Sequence, residues 1–167
     1  GTSWRRIELP KVSAGTLAKT PPELVPQILG TAPGPTVLAW SKPTSVTGLT
    51  AATAIHDQLV SLRSFKVIPI GGVDRATPTH RAELVIDELG ITEPRRALCR
   101  WYDGRLVGTF SIVELASGRV VWSKQVTATA SKRTHFSSRS DVIDEMVSEA
   151  VTGWMSAFRA SGVLKPR

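Results

Sequence analysis

Apolar and polar positions alternate most clearly from Arg105 to Ser131 (RLVGTFSIVELASGRVVWSKQVTATAS), which predicts two long strands joined by a turn at Ala116-Ser117-Gly118. In the second strand Val120, Trp122, Val126, Ala128 and Ala130 fall on one face. Val121, Ser123, Gln125, Thr127 and Thr129 fall on the other, so one face is expected to be core and one polar. Lys124 interrupts the apolar face, which places this strand near a sheet edge.

Upstream, Thr36–Trp40 is a short apolar run that predicts a buried strand, and Ser41–Gly48 is a polar loop. Thr50 is expected to cap a helix to about Arg63, with Ala51, Ile55, Leu59 and Leu62 on one face. Phe65–Ile70 is a second β-branched strand, ended by Gly71-Gly72, and Asp74–Arg81 a loop or short helical turn. Ala82–Ile91 and Ala97–Tyr102 read as further strands. Asp103-Gly104 is a two-residue hairpin signal, because both central positions of a type I′ turn need positive φ. Ser138 or Ser140 opens a last helix whose stripe is Ile143, Met146 or Val147, Ala150, Trp154 and Phe158. Gly162 is its C-cap, and Pro166 stops any continuation.

The predicted fold is α+β: a mostly antiparallel sheet of about five to six strands with two main helices packed on one face. Residues 36–162 form that domain and 163–167 a tail. Residues 1–35 are a Pro-rich arm, with a helix start at Thr20-Pro21-Pro22-Glu23 and a short edge strand around Ile7 and Leu9.

At 167 residues the chain is long enough to bury a core without staples. No apolar run reaches the roughly 18 to 20 residues of a membrane span. The start, Gly1-Thr2-Ser3-Trp4-Arg5-Arg6, lacks the apolar segment of a signal peptide, which leaves an export signal or lipid-bearing cysteine upstream open. The net charge of +7 favours an anionic partner over a cationic one. The single cysteine, Cys99, excludes an intrachain disulfide and a CxxC metal site.

Candidate chemistry is sparse. His56, His80 and His135 are far apart and lack metal-ligand spacing, so no metal is expected. Cys99 stands near Arg96 and Arg100, but no base accompanies it, so a half-buried strand cysteine is the expectation. Asp87 and Glu88 should face opposite sides of a strand, and ion pairs to Arg95 or Arg96 are the simplest use of Asp87, Glu88 and Glu93. No phosphate-binding Gly motif is present, so no cofactor and no catalytic residue is assigned. The run Arg95–Tyr102 mixes arginines with aromatics and would suit an anionic partner, nucleic acid included. On one strand Arg96, Leu98, Arg100 and Tyr102 would share a face, and Arg95, Ala97, Cys99 and Trp101 the other. With Lys132 and Arg133, the arginines Arg95, Arg96 and Arg100 are the candidate contacts.

The runs Ala82–Leu89 (AELVIDEL) and Phe110–Ser123 (FSIVELASGRVVWS), followed by an amphipathic helix, resemble bacterial envelope lipoproteins. The group is that of the curli-secretion CsgG, the penicillin-binding-protein activator LpoB and the TolB N-terminal domain, and the likeness spans about Thr36 to Ser161. The resemblance implies a non-enzymatic, envelope-associated adaptor that binds a protein partner in secretion, transport or cell-wall assembly. It also implies a periplasmic location, or the periplasmic face of the outer membrane, with a lipid anchor upstream. The alternative is a basic nucleic-acid-binding domain in the cytoplasm. No functional residue carries over, since the matched positions build the sheet.

Overall fold

The structure, a computed structural model, describes residues 34–165. The expected arm, with its Thr20 helix start and Ile7/Leu9 strand, falls outside the described residues except at its last positions, and Pro166 also falls outside. The unit that begins at Pro35 contains β1 (Val37–Trp40), α1 (Val46–Leu62), β2 (Lys66–Ile68), β3 (His80–Thr92), β4 (Arg95–Arg96), β5 (Cys99–Glu114), β6 (Val120–Arg133) and α2 (Arg139–Ser161).

The strands form one mixed sheet in the order β2-β1-β3-β5-β6, with β4 paired to the first residues of β5. β1 pairs in parallel with β2 and β3, and α1 supplies the crossover that the parallel β1–β2 pair requires. The β3–β5 and β5–β6 pairs are antiparallel. The α+β class and the mostly antiparallel sheet agree with the sequence pattern.

α1 starts earlier than its periodicity predicts. Ser45, not Thr50, is the N-cap, and its hydroxyl accepts from the Gly48 N–H at 3.0 Å. Thr50 lies inside the helix and donates to the Val46 carbonyl. Gly48 reads as loop in the sequence, yet it is buried, and a Cβ there would lie 2.9 Å from Ser45 Oγ. β2 is shorter than the apolar run Phe65–Ile70. Phe65 and Ile70 instead pack on the core from outside the strand.

The turn expected at Asp103-Gly104 is not there. Both residues lie inside β5, Asp103 between Thr92 and Ser131 and Gly104 between Ile91 and Ala130. The chain reverses earlier, over Ala97-Leu98, where Ala97 takes φ +54°. Gly104 is needed for a close approach, since a Cβ there would fall 2.6 Å from Val142 Cγ1 and 2.7 Å from Met146 Cε on α2. The predicted strand Ala97–Tyr102 is thus the start of β5 and not a separate element.

The β5–β6 hairpin forms as expected, with Gly118 at φ +73° in its turn. The inward face of β6 holds from Trp122 to Ala130 but not at Val120, which is 58% exposed. A register shift pairs Ile112 with Trp122 and Val113 with Val120, which inserts Val121 and turns Val120 out. Among the described residues β6 is an edge strand, as Lys124 indicated.

α2 begins at Ser138, whose side chain accepts from the Asp141 N–H while Asp141 bonds back to the Ser138 N–H. It ends at Gly162, φ +69°. Its buried stripe includes Val142, and Ile143 is only partly buried. The core lies between the helices and one sheet face, around Phe110, Trp154, Leu38, Ile55 and Leu106. Phe110 stacks on Trp40 at 5.8 Å and meets Trp122 edge-on at 5.3 Å. The opposite face, from β3 across β5 to β6, is largely polar.

Candidate anionic-partner site

β3, β5 and β6 run on past the short β1, and their far ends form one tip. The register sets Arg95 opposite Arg100, Arg96 opposite Cys99, Trp101 opposite Arg133 and Tyr102 opposite Lys132. The Thr134 N–H donates to the Arg100 carbonyl at 3.2 Å, which ties the turn after β6 to the Ala97-Leu98 turn. All five candidate basic residues, Arg95, Arg96, Arg100, Lys132 and Arg133, therefore sit at one end of the sheet.

Their faces differ from those of a single strand. The reversal at Ala97-Leu98 puts Arg96 on the face of Trp101, away from Arg100 and Tyr102. Arg96 and Arg133 each place a guanidinium carbon 5.6 Å from the centroid of the Trp101 ring. Arg96 also pairs with Asp103, whose other oxygen accepts from the Ser131 hydroxyl at 2.5 Å. Those two bonds, Ser131 first and Arg96 second, hold the Asp103 carboxyl below its ordinary pKa.

Beside α2, Lys132 bonds Glu145 at 2.9 Å, and the carboxylate raises the pKa of the ammonium group. Glu93 is shared between Arg139 and, at 3.8 Å, Arg100. Arg139 lies over the Tyr102 ring at 5.7 Å. Among the described residues Arg95 and Arg133 have no carboxylate within salt-bridge range. An open depression of about 360 Å³ at the tip is lined by Arg95, Arg100, Arg133, Leu98, His135 and Phe136, together with Cys99 and Thr134. Of Leu98, His135 and Phe136, the last is the residue the sequence reading missed, while the other two were named there without being assigned to this site. The available signal was an apolar residue set among arginines in a segment that had to turn.

The acidic residues do not pair as expected. A bulge in β3 between Ile86 and Glu88 brings Asp87 and Glu88 to the same, polar face. Asp87 accepts from Thr109 at 2.7 Å and Gln125 at 3.4 Å, and Glu88 pairs with Arg105 at 3.4 Å. Neither meets Arg95 or Arg96. Ser111 and Ser123 bond at 2.9 Å on that face. The histidines stay apart: His56 is on α1, His80 bonds Thr79 at the start of β3, and the His135 ring rests edge-on against Phe136.

No family model matches the sequence. No curated protein matches it either. Among solved structures, the minor lipoprotein from Acinetobacter baumannii superposes with a TM-score of 0.50 at 12% identity, over 79% of this chain and 96% of that one. Uncharacterized lipoprotein B from Nitrosomonas europaea gives 0.48 at 13% identity, covering 78% and 88% of the two chains. A lipoprotein from Neisseria meningitidis gives 0.44 at 15%, covering 73% and 99%. At such identities the likeness is one of fold: the chain shares the α+β fold of the Acinetobacter lipoprotein, and the comparison does not point to CsgG, LpoB or TolB in particular.

Proposed function

We propose that the chain is a non-enzymatic adaptor domain of the bacterial cell envelope, located in the periplasm, that binds a protein partner along its sheet. The observation that carries this reading is the edge of β6 left unpaired among the described residues. The strand runs from Val120 to Arg133 and pairs with β5 alone among the described residues. Its second edge offers main-chain donors and acceptors, of which the Lys124 carbonyl is taken by the Trp154 indole N–H at 3.0 Å. An extended segment of a partner added there would gain main-chain hydrogen bonds, and the exposed Ser123, Gln125, Thr127 and Thr129 would set its register. The lipoprotein fold supports the envelope setting.

The test is site-specific photocrosslinking in cells. Probes at Thr127 and Thr129 are expected to capture the same envelope protein, and a probe at the exposed Thr53 on α1 is not. Equal capture at all three positions would contradict an edge-strand interface. Nucleic-acid binding finds support in the clustered tip arginines. Against it stands Trp101, whose ring is already flanked by two guanidinium groups.

A further inference from the structure

Two apolar side chains stand out at the tip. Leu98 is 93% exposed and Phe136 73% exposed. They are carried on neighbouring turns, which the Thr134–Arg100 main-chain bond holds together. Both line the tip depression alongside Arg95, Arg100 and Arg133. We propose that this tip is a membrane-contact site: Leu98 and Phe136 enter the interfacial layer of an anionic bilayer while the arginines bind its headgroup phosphates.

The charge pattern selects this occupant. Among the described residues Arg95 and Arg133 lack carboxylate partners, and Arg100 shares its one partner there with Arg139. These guanidinium groups line the same depression as the two apolar side chains. That is the order an anionic interface demands, apolar groups buried several ångströms deep and cations at phosphate level. A nucleic acid would use stacking faces; Phe136 offers one, but the more exposed Leu98 offers none. An acidic peptide would use the arginines but has no need of two protruding apolar tips on a shallow surface. The strands beneath are fixed by the β3–β5 and β5–β6 pairing, so the tip is presented on a rigid support. The site is separate from the β6 edge and does not rest on the adaptor reading.

The experiment is co-sedimentation of the 167-residue chain with vesicles of phosphatidylethanolamine and phosphatidylglycerol, against vesicles of phosphatidylcholine alone. Binding is expected to the anionic vesicles only. The variant Leu98→Ser/Phe136→Ser should weaken it about 10-fold or more, from the loss of two interfacial apolar groups. Arg95→Gln/Arg100→Gln/Arg133→Gln should weaken it by about 5-fold per arginine. All five side chains are exposed, so thermal melts of both variants should match the parent. Three results would overturn the proposal: no binding to anionic vesicles, equal binding to neutral ones, or loss in the arginine variant with no change in the Leu98/Phe136 variant. The last would mark a site for a soluble polyanion, tested directly with a single-stranded oligonucleotide and with polyglutamate.

Discussion

Gly108 lies against the Trp154 indole: a Cβ on the glycine would stand 2.9 Å from the ring's Cζ2 and 3.2 Å from the Val85 carbonyl oxygen. The indole cannot retreat, because it is fully buried and its N–H donates to the Lys124 carbonyl at 3.0 Å. This contact sets how closely α2 approaches β5. Gly108→Ala is expected to destabilise the domain by about 1–3 kcal/mol through overpacking. Trp154→Phe loses the indole hydrogen bond but makes room, so the two changes should couple in a double-mutant cycle by chemical denaturation. Strict additivity would mean that the two residues do not press on each other.

The location of the β3–β5 reversal is testable by two substitutions with opposite signs. Asn suits a type I′ turn, but Gly104 is buried under Val142 and Met146, so Gly104→Asn should cost about 2 kcal/mol or more. Ala97 occupies the left-handed region at φ +54°. Ala97→Gly should therefore be neutral or stabilising by up to about 1 kcal/mol. A tolerated Asn at position 104 would point back to a turn at Asp103-Gly104.

The start of α2 is fixed by a reciprocal pair of bonds between Ser138 and Asp141. Ser138→Ala should lower stability by about 1 kcal/mol, whereas Ser140→Ala, within the first helical turn, should change it little. Urea unfolding of the two variants distinguishes them, and equal losses would remove Ser138 from the cap.

Asp103 gives the tip an acid sensitivity. Its folded pKa is depressed by Ser131 and Arg96, so its contribution is complete above the unfolded value of about 4. That contribution is lost as pH falls through the lower folded value. Melting temperature measured from pH 6 to pH 2 should fall less steeply for Asp103→Asn than for the parent. Parallel curves would show that the Asp103 bonds add nothing to stability.

The elements with long, regular patterns were legible in the sequence. The β5–β6 hairpin, the α2 stripe and the mostly antiparallel sheet followed from alternation and helical spacing alone. The misreadings occurred where a residue served a neighbour in the folded chain. Gly104 is a glycine because α2 comes close, and Gly48 because a Cβ there would press on its own N-cap Ser45, whereas sequence alone shows only their turn propensity. The bulges at Asp87 and Val121 each move side chains across the sheet, which a strict two-residue period does not anticipate. The five basic residues named from the sequence lie at one end of the sheet, but the reversal at Ala97-Leu98 puts Arg96 on a different face from the one expected. Leu98 and Phe136 gain meaning only once two turns are seen side by side.

Fractionation of cells that produce the native protein, with the intact mass of its N-terminus, tests the envelope reading most directly. The expected result is a protein in the membrane or periplasmic fraction, captured there by its partner through Thr127 and Thr129. An unmodified protein found only in the cytosol, with affinity for nucleic acid that falls steeply with salt, would contradict it.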